Sequence, residues 1–288
     1  MGLLTHFGKN IWCVCMLVMC THQYAFSQTN STDSVDVVID PPHPFLTACM
    51  FSAAAISEII PMPWTADDYD HTTADILLLN ENQLPAIDRI VFPLSENRIA
   101  IAKPASDVLA GSSFAFPIWA SFFVTHSNDD LVNLGIVYFC GYFTGAVGVD
   151  HLKSIFDRAR PYNYTLDIEV ENRYTPEGWS SMPSGHSFTS AYNCFFGASI
   201  LDRYYLENDQ TKMRVILWSA AATYPLLTGY MRMLAGRHFT TDVFVGYGIG
   251  AGLGLAFPLL MEDHGKNDIT WMPFIEPNLM GMGMRLQF

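Results

Sequence analysis

The stretch LVNLGIVYFCGYFTGAVGVDHLKSIFDRARP, residues 131–161, decides the fold. It opens with an uncharged run, 131–149, which is long enough to cross the hydrocarbon core of a bilayer or to form a buried helix. Lys153 and Arg160 follow, and Pro161 disfavours helical geometry at the residue before it. Because their spacing is close to two helical turns, we expect Lys153 and Arg160 on one face of a helix that ends near Pro161.

Four further runs of similar length contain no charged residue: 108–125, 187–201, 215–231 and 243–261. In the last run Gly246, Gly250 and Gly254 recur on one helical face, which predicts close packing against a neighbouring helix. The fold class that we predict is all-α, a bundle of five to six apolar helices embedded in a membrane. The alternative is a soluble bundle whose core helices are apolar on all sides.

The charge distribution argues for a small anionic ligand. The net charge is −13, which argues against nucleic acid as a partner. Residues 27–88 contain ten carboxylates and no Lys or Arg. Against this acidic background, a set of basic residues lies near a few short motifs, which favours a local anion site. The set comprises Lys153, Arg158, Arg160, Arg173, Arg232 and Arg237.

The N-terminal sequence predicts export. Residues 1–27 combine Lys9, a short apolar run and the small-x-small site Ala25-Phe26-Ser27, the pattern of a signal peptide; an uncleaved membrane anchor is the alternative. Cys140 and Cys194 lie in apolar runs and are predicted to be buried small hydrophobes rather than disulfide partners. We divide the chain into the signal peptide (1–27), an acidic extension with short helices (28–104), a catalytic helical domain (105–261) and a C-terminal tail (262–288) that could form a hairpin.

Two short motifs accompany the basic pair. Pro183-Ser184-Gly185-His186 precedes an apolar run, and the N–H groups at such a helix start bind anions, with His186 beside them. His238 and Asp242 are four residues apart, so on a helix they would share a face and Asp242 could orient the His238 ring. Taken alone, each motif also fits a structural role: a capping turn with a surface histidine, or a satisfied His–Asp pair.

Together these elements resemble the signature of the type 2 phosphatidic acid phosphatase and vanadium haloperoxidase superfamily. The family pattern Lys-x6-Arg-Pro, Pro-Ser-Gly-His and Ser-Arg-x5-His-x3-Asp is matched in order and spacing by Lys153 to Pro161, Pro183 to His186 and Arg232 to Asp242. The resemblance covers about residues 105–261. One position departs from it, because Met231 stands where the pattern has serine.

The resemblance implies a metal-independent phosphatase, without a cofactor, that acts on phosphomonoesters or pyrophosphates, above all of lipids. In this interpretation Lys153, Arg160 and Arg232 bind the phosphate, together with Ser184 and Gly185. The remaining roles are catalytic: His238 attacks phosphorus, Asp242 stabilises the resulting imidazolium, and His186 protonates the leaving group and then activates water.

Two other enzymatic activities fit the same motifs: a soluble exported acid phosphatase of broad specificity and a vanadium-dependent haloperoxidase. A non-catalytic protein with this fold would need to have lost a main catalytic residue, and none is missing. Five spans that begin near residue 108, with an exported N-terminus, place the three motifs on the periplasmic or outer side. The loop 202–214, with Arg203, Lys212 and Arg214, then lies inside, as the positive-inside rule prefers.

Overall fold

The computed structural model describes residues 71–165, 173, 175–207, 209–259, 268–276 and 279–287. The predicted signal peptide and residues 28–70 of the acidic extension lie outside these residues. Two short helices open the described part, α1 (Thr73–Leu77) and α2 (Ala86–Arg89). Six longer helices follow: α3 (Glu96–Ser113), α4 (Ala115–Val124), α5 (Asn128–Phe156), α6 (Gly185–Tyr204), α7 (Thr211–Leu234) and α8 (Thr240–Leu259).

The helical bundle confirms the predicted fold class. α3 and α4 are separated only by Phe114 and together supply the first of the five predicted runs, while α5 to α8 supply the other four. The first run is longer than predicted, because α3 begins at Glu96 rather than near residue 108. Beyond the bundle, β1 (Asp268–Glu276) and β2 (Leu279–Gln287) pair antiparallel, so the tail forms the hairpin that its sequence allowed.

α6 is the central helix of the bundle. Most of its side chains are buried, including Phe188, Tyr192 and Phe196, which form the main core with residues of the surrounding helices. Polar groups inside this core are satisfied within it: Tyr138 donates to the Asn193 side chain at 2.6 Å, and Asn193 donates to Ser113 at 2.8 Å. A helix surrounded by others on all sides explains why the 187–201 run lacks a polar face.

The glycine stripe of α8 packs against α6 as predicted. A methyl group at Gly246 or Gly250 would overlap the carbonyl oxygen of Ser184 or Phe188. One at Gly254 would lie 2.7 Å from the carbonyl oxygen of Tyr192. Because these three glycines have no side chain, the start of α8 can pack directly against the start of α6, where two of the sequence motifs lie.

Three helical segments in the described part are long and apolar enough to cross a membrane: Glu96–Val124, Asp130–Tyr164 and Thr240–Leu259. Large apolar side chains also face outward on several helices, among them Phe122 at 69% exposure and Ile216 at 62%. An apolar surface of this kind is expected where lipid rather than water surrounds the protein. Cys140 and Cys194 are both buried, as predicted.

Candidate active site

The three motifs meet at one end of the bundle. The main-chain N–H of Ser184 donates to the carbonyl of Asp242 at 3.0 Å, which joins the second motif to the third. The N–H of Tyr162 donates to the carbonyl of Gly236 at 3.2 Å, which joins the first motif to the loop before α8. The Lys153 ammonium lies 3.4 Å from where a Cβ of Gly185 would stand.

Arg160 reaches this end of the bundle from a loop. α5 ends at Phe156, Asp157 adopts a left-handed conformation with φ of 40°, and Arg160 has an extended backbone. The expectation that Lys153 and Arg160 share a helical face was therefore wrong. The chain leaves the helix one turn earlier, and the Arg160 N–H is fixed by the carbonyl of Gly178 at 2.8 Å.

Arg160 and Arg232 have the character expected of anion ligands. They are 6% and 5% exposed, and the buried Nε atom of each has no hydrogen-bond partner. Their terminal nitrogens are partly engaged: Arg160 contacts Glu177 at 3.2 Å, and Arg232 contacts Asp107 at 3.1 Å. Buried cationic donors left unpaired are costly, so this pair is suited to an oxyanion.

His238 is fixed in one tautomer. It is 2% exposed, and its Nδ1 lies 2.6 Å from the main-chain oxygen of Ser181. A carbonyl oxygen can only accept, so Nδ1 carries the proton and the lone pair of the neutral ring is on Nε2. Burial, reinforced by the positive charges of Arg232 and Arg160, holds the pKa of His238 well below its usual 6.5. The neutral, nucleophilic form is thus favoured.

The predicted direct pairing of Asp242 with His238 is wrong. α8 begins at Thr240, so His238 precedes the helix and the four-residue helical spacing does not apply. The Asp242 carboxylate instead accepts from the Ser181 hydroxyl at 2.5 Å and from the Phe239 N–H at 2.7 Å. Asp242 therefore holds Ser181, whose carbonyl in turn holds His238.

His186 lies where α6 begins, with its Nε2 2.8 Å from Oδ1 of Asp107. The same carboxylate oxygen accepts from Arg232, so one oxygen joins the two residues predicted to face the substrate. Burial first and the Arg232 charge second lower the pKa of His186 to about 4, although the Asp107 carboxylate acts in the opposite direction. A bound phosphate dianion would raise this pKa, because it adds negative charge beside the ring.

Ser184 and Gly185 form the start of α6. Ser184 is the N-cap residue, fully buried, and its hydroxyl oxygen accepts from the Ser187 hydroxyl at 3.0 Å. The hydroxyl is thus already used in capping, while the helix N-terminus and the Lys153 ammonium lie side by side.

The sequence predicted no site role for four residues of this region: Asp88, Asp107, Arg158 and Ser181. Arg158 was counted among the basic residues near the motifs but was given no role in the site. It lies between two fully buried carboxylates, 2.7 Å from Asp88 and 2.5 Å from Asp242. Its position near Arg160-Pro161 was the only sequence signal. Asp88 of the extension and Asp107 near the start of the predicted catalytic domain precede all three motifs, and nothing local distinguishes them from the neighbouring acidic residues.

A cavity of about 330 Å³ opens beside His186. It runs between α3, α5 and α6, and apart from Asp107, Asp150, His186 and two hydroxyl-bearing residues its lining is apolar or glycine. The apolar part is formed by Ala110, Phe114, Ala146, Val149 and Phe188, with Gly111 at its edge. Among the residues that the structure describes, no cluster of three or more His, Cys, Asp or Glu is placed to hold a metal ion.

All three motifs lie within a segment that is similar to a known protein family. Residues 130–266 match the model of the PAP2 superfamily. A curated relative, "Probable lipid phosphate phosphatase beta" of Arabidopsis thaliana, is 27% identical over 161 residues, 50% of this chain and 72% of the relative. A solved structure, the transmembrane PAP2 type phosphatidylglycerolphosphate phosphatase of Bacillus subtilis, is similar with a TM-score of 0.47 and 19% identity, covering 77% of this chain and 98% of that one.

Proposed function

We propose that this chain, of which residues 130–266 match the PAP2 superfamily model, is a membrane phosphatase that hydrolyses phosphomonoester or pyrophosphate groups of lipids through a phosphohistidine at His238. The observation that carries the proposal is the tautomer of His238. Its Nδ1–H is donated to Ser181, so Nε2 is the nucleophilic atom, and it lies in a buried setting with two arginines whose Nε donors are unpaired.

In the first half-reaction the phosphate replaces Asp107 as the partner of Arg232 and is also bound by Arg160 and Lys153. Nε2 of His238 attacks phosphorus in line as the P–O bond to the leaving group breaks. His186, its pKa raised by the bound dianion, gives its proton to the departing alkoxide. The product alcohol leaves, and a phosphohistidine remains.

The second half-reaction reverses the roles. Neutral His186 takes a proton from water, the oxygen attacks phosphorus and the P–N bond breaks, which returns His238 to its neutral form. Asp242 supports the transient positive charge on His238 through Ser181 rather than by direct contact. The basic side chains supply the charge stabilisation that phosphoryl transfer requires.

The cavity beside His186 supports a lipid substrate. An apolar channel that starts at the predicted general acid would accept the hydrocarbon chain of the leaving group, because burying each methylene group contributes about 0.8 kcal/mol. The outward-facing apolar side chains and the three spanning segments favour the membrane over the soluble acid phosphatase.

We further propose that the active site faces the periplasm or the outside. The motifs lie at the end of α5, the start of α6 and the loop between α7 and α8, all on one side of the bundle. The opposite side contains the last turn of α6 with Arg203 and the first turn of α7 with Arg214, which pairs with Asp202. Basic residues on that side support its placement inside.

The test is a phosphate-release panel with lipid phosphomonoesters, lipid pyrophosphates and soluble phosphate esters. Wild-type protein and the His238→Ala variant are compared in detergent, with and without excess chelator. We expect lipid phosphates to be hydrolysed in preference to soluble esters. Activity should survive the chelator, since Lys153, Arg160 and Arg232 supply the positive charge that stabilises the phosphate. Activity that is lost and returns with magnesium, or a preference for soluble esters, would contradict the proposal. Halide oxidation after vanadate loading, with little phosphatase activity, would favour the haloperoxidase.

A further inference from the structure

The acidic extension reaches the site through Asp88. This residue lies outside the PAP2 segment, in a part of the chain whose sequence assigned it no role. Its side chain is 0% exposed and accepts from three donors: the Arg158 guanidinium at 2.7 Å, and the main-chain N–H and hydroxyl of Thr241, each at 2.9 Å. A fully buried carboxylate is costly unless it is paired in this way.

A continuous chain of contacts joins Asp88 to the nucleophile. Arg158 donates from one terminal nitrogen to Asp88 and from the other to Asp242 at 2.5 Å. Asp242 accepts from the Ser181 hydroxyl, and the Ser181 carbonyl accepts from Nδ1 of His238 at 2.6 Å. The Arg158 guanidinium also stacks over Phe239, the residue after His238, 4.4 Å from its ring centre.

Packing fixes the same part of the extension against the site. Val91 and Leu94 form a buried cluster with Tyr162, the residue after the first motif, and with Phe239. The Thr240 hydroxyl donates to the carbonyl of Ile87 at 2.9 Å, beside Asp88. The extension therefore contacts the chain next to the first motif and within the third motif, by apolar packing as well as by charge.

We propose that Asp88 is a positioning residue for the nucleophile: with Arg158 it fixes Asp242 and Ser181, and so holds His238 in the tautomer that attacks phosphorus. This inference rests on the proposed role of His238. Asp88 touches neither substrate nor reacting atoms. Without its charge Arg158 would have one carboxylate partner instead of two, and Asp242 would be free to shift toward it.

The experiment compares Asp88→Asn with Asp75→Asn, the same change in the extension at a residue whose carboxylate accepts, among the described hydrogen bonds, only from Thr72. Rates are expressed per vanadate-binding site, so that unfolded protein does not count. We expect Asp88→Asn to lower kcat about 10- to 100-fold, as is typical when the residue supporting a functional side chain is lost. KM, vanadate affinity and the ratio between alkyl and nitrophenyl substrates should remain near the wild-type values. Asp75→Asn should equal the wild type.

Histidine ¹⁵N spectra provide a readout that a purely structural role would not change. The His238 resonance, assigned by its loss in His238→Ala, should show the Nδ1–H form in the wild type and a mixture of both tautomers in Asp88→Asn. Thr241→Val removes the hydroxyl that joins Asp88 to Arg158, and it should lower kcat by a smaller factor at unchanged KM. This variant replaces Asp88→Asn in the test if Asp88→Asn binds no vanadate.

Wild-type kcat in Asp88→Asn, or in Thr241→Val if the first does not fold, overturns the inference, as does a loss confined to KM or an unchanged tautomer. His238→Ala separates this result from the function itself. If that variant is inactive while Asp88→Asn behaves as wild type, only the positioning role fails. If His238→Ala turns over normally, the proposed function fails together with the inference.

Discussion

Nδ1 of His238 lies 2.6 Å from the carbonyl oxygen of Ser181, and this contact determines which nitrogen of the ring can react. A carboxylate partner could accept the Nδ1 proton as the ring becomes charged, whereas a carbonyl leaves the proton in place. In the proposed mechanism, the charge that stabilises the imidazolium would come from Asp242, which accepts a hydrogen bond from the Ser181 hydroxyl. The site thus separates the orientation of the nucleophile from its electrostatic support.

The pH dependence of kcat/KM follows from the environment of His238. Burial and the neighbouring arginines hold its pKa well below 6.5, so the nucleophile stays neutral when the medium becomes mildly acidic. The substrate phosphate has its own second ionisation at about 6, and the profile is corrected for it. We then expect the apparent pKa of the acid limb to lie below the ordinary histidine value of about 6.5. A limb at or above 6.5 that belongs to the enzyme would contradict this environment.

His186→Ala tests the general acid. Alkyl leaving groups need a proton as they depart, whereas nitrophenolate does not, so we expect kcat to fall about 10²-fold for alkyl phosphates and much less for nitrophenyl phosphate. The measurement is kcat for both substrates with the same enzyme preparation. Equal losses for the two leaving groups would show that His186 does not donate the proton.

Asp107→Asn tests whether the Asp107 carboxylate competes with a phosphate ligand for Arg232 and His186. The carboxylate of Asp107 contacts Arg232 and His186 and carries the same sign of charge as phosphate. Removing the charge while keeping the shape should tighten inorganic vanadate binding, by about 1 kcal/mol or roughly fivefold for a half-exposed charge. The inhibition constant is compared with that of Asp75→Asn. Weaker binding in Asp107→Asn would mean that the carboxylate orders Arg232 rather than competes with the ligand.

The orientation is tested by cysteine labelling. Arg173 lies between α5 and α6 but is unsuited to labelling, because it is 4% exposed and donates to the carbonyl of Tyr162 at 2.7 Å, so a cysteine there would disturb the fold. Asn97 on the active-site side and His126 on the opposite side are both exposed. In a background without native cysteines, an impermeant maleimide should label Asn97→Cys in intact cells, or after the outer membrane alone is permeabilised. It should label His126→Cys only after the inner membrane is broken, and the reverse pattern would overturn the topology.

Periodicity and motif spacing predicted what depends on local sequence. The uncharged runs became helices, and the glycine stripe of α8 packs on α6, because both follow from side-chain size and polarity along one helix. The motif residues Lys153, Gly185 and Asp242 come together because they stand at helix ends on the same side of the bundle.

The supporting contacts could not be predicted because they join distant parts of the chain. Arg158 is 84 residues from Asp242 and 70 from Asp88, and Ser181 is 61 from Asp242. The two errors of spacing have one cause. Helical geometry was applied to residues that lie just outside the helices, Arg160 after α5 and His238 before α8.

The most direct test is to trap and locate the phosphoenzyme. Wild-type protein is mixed with a ³²P-labelled substrate, quenched in alkali and digested, and the label is located by mass spectrometry. The account predicts an acid-labile, alkali-stable phosphohistidine at His238 that is absent from His238→Ala, whose kcat should fall by about 10³-fold or more. Label at the wild-type level in His238→Ala, or on a residue other than His238 in the wild type, would contradict it.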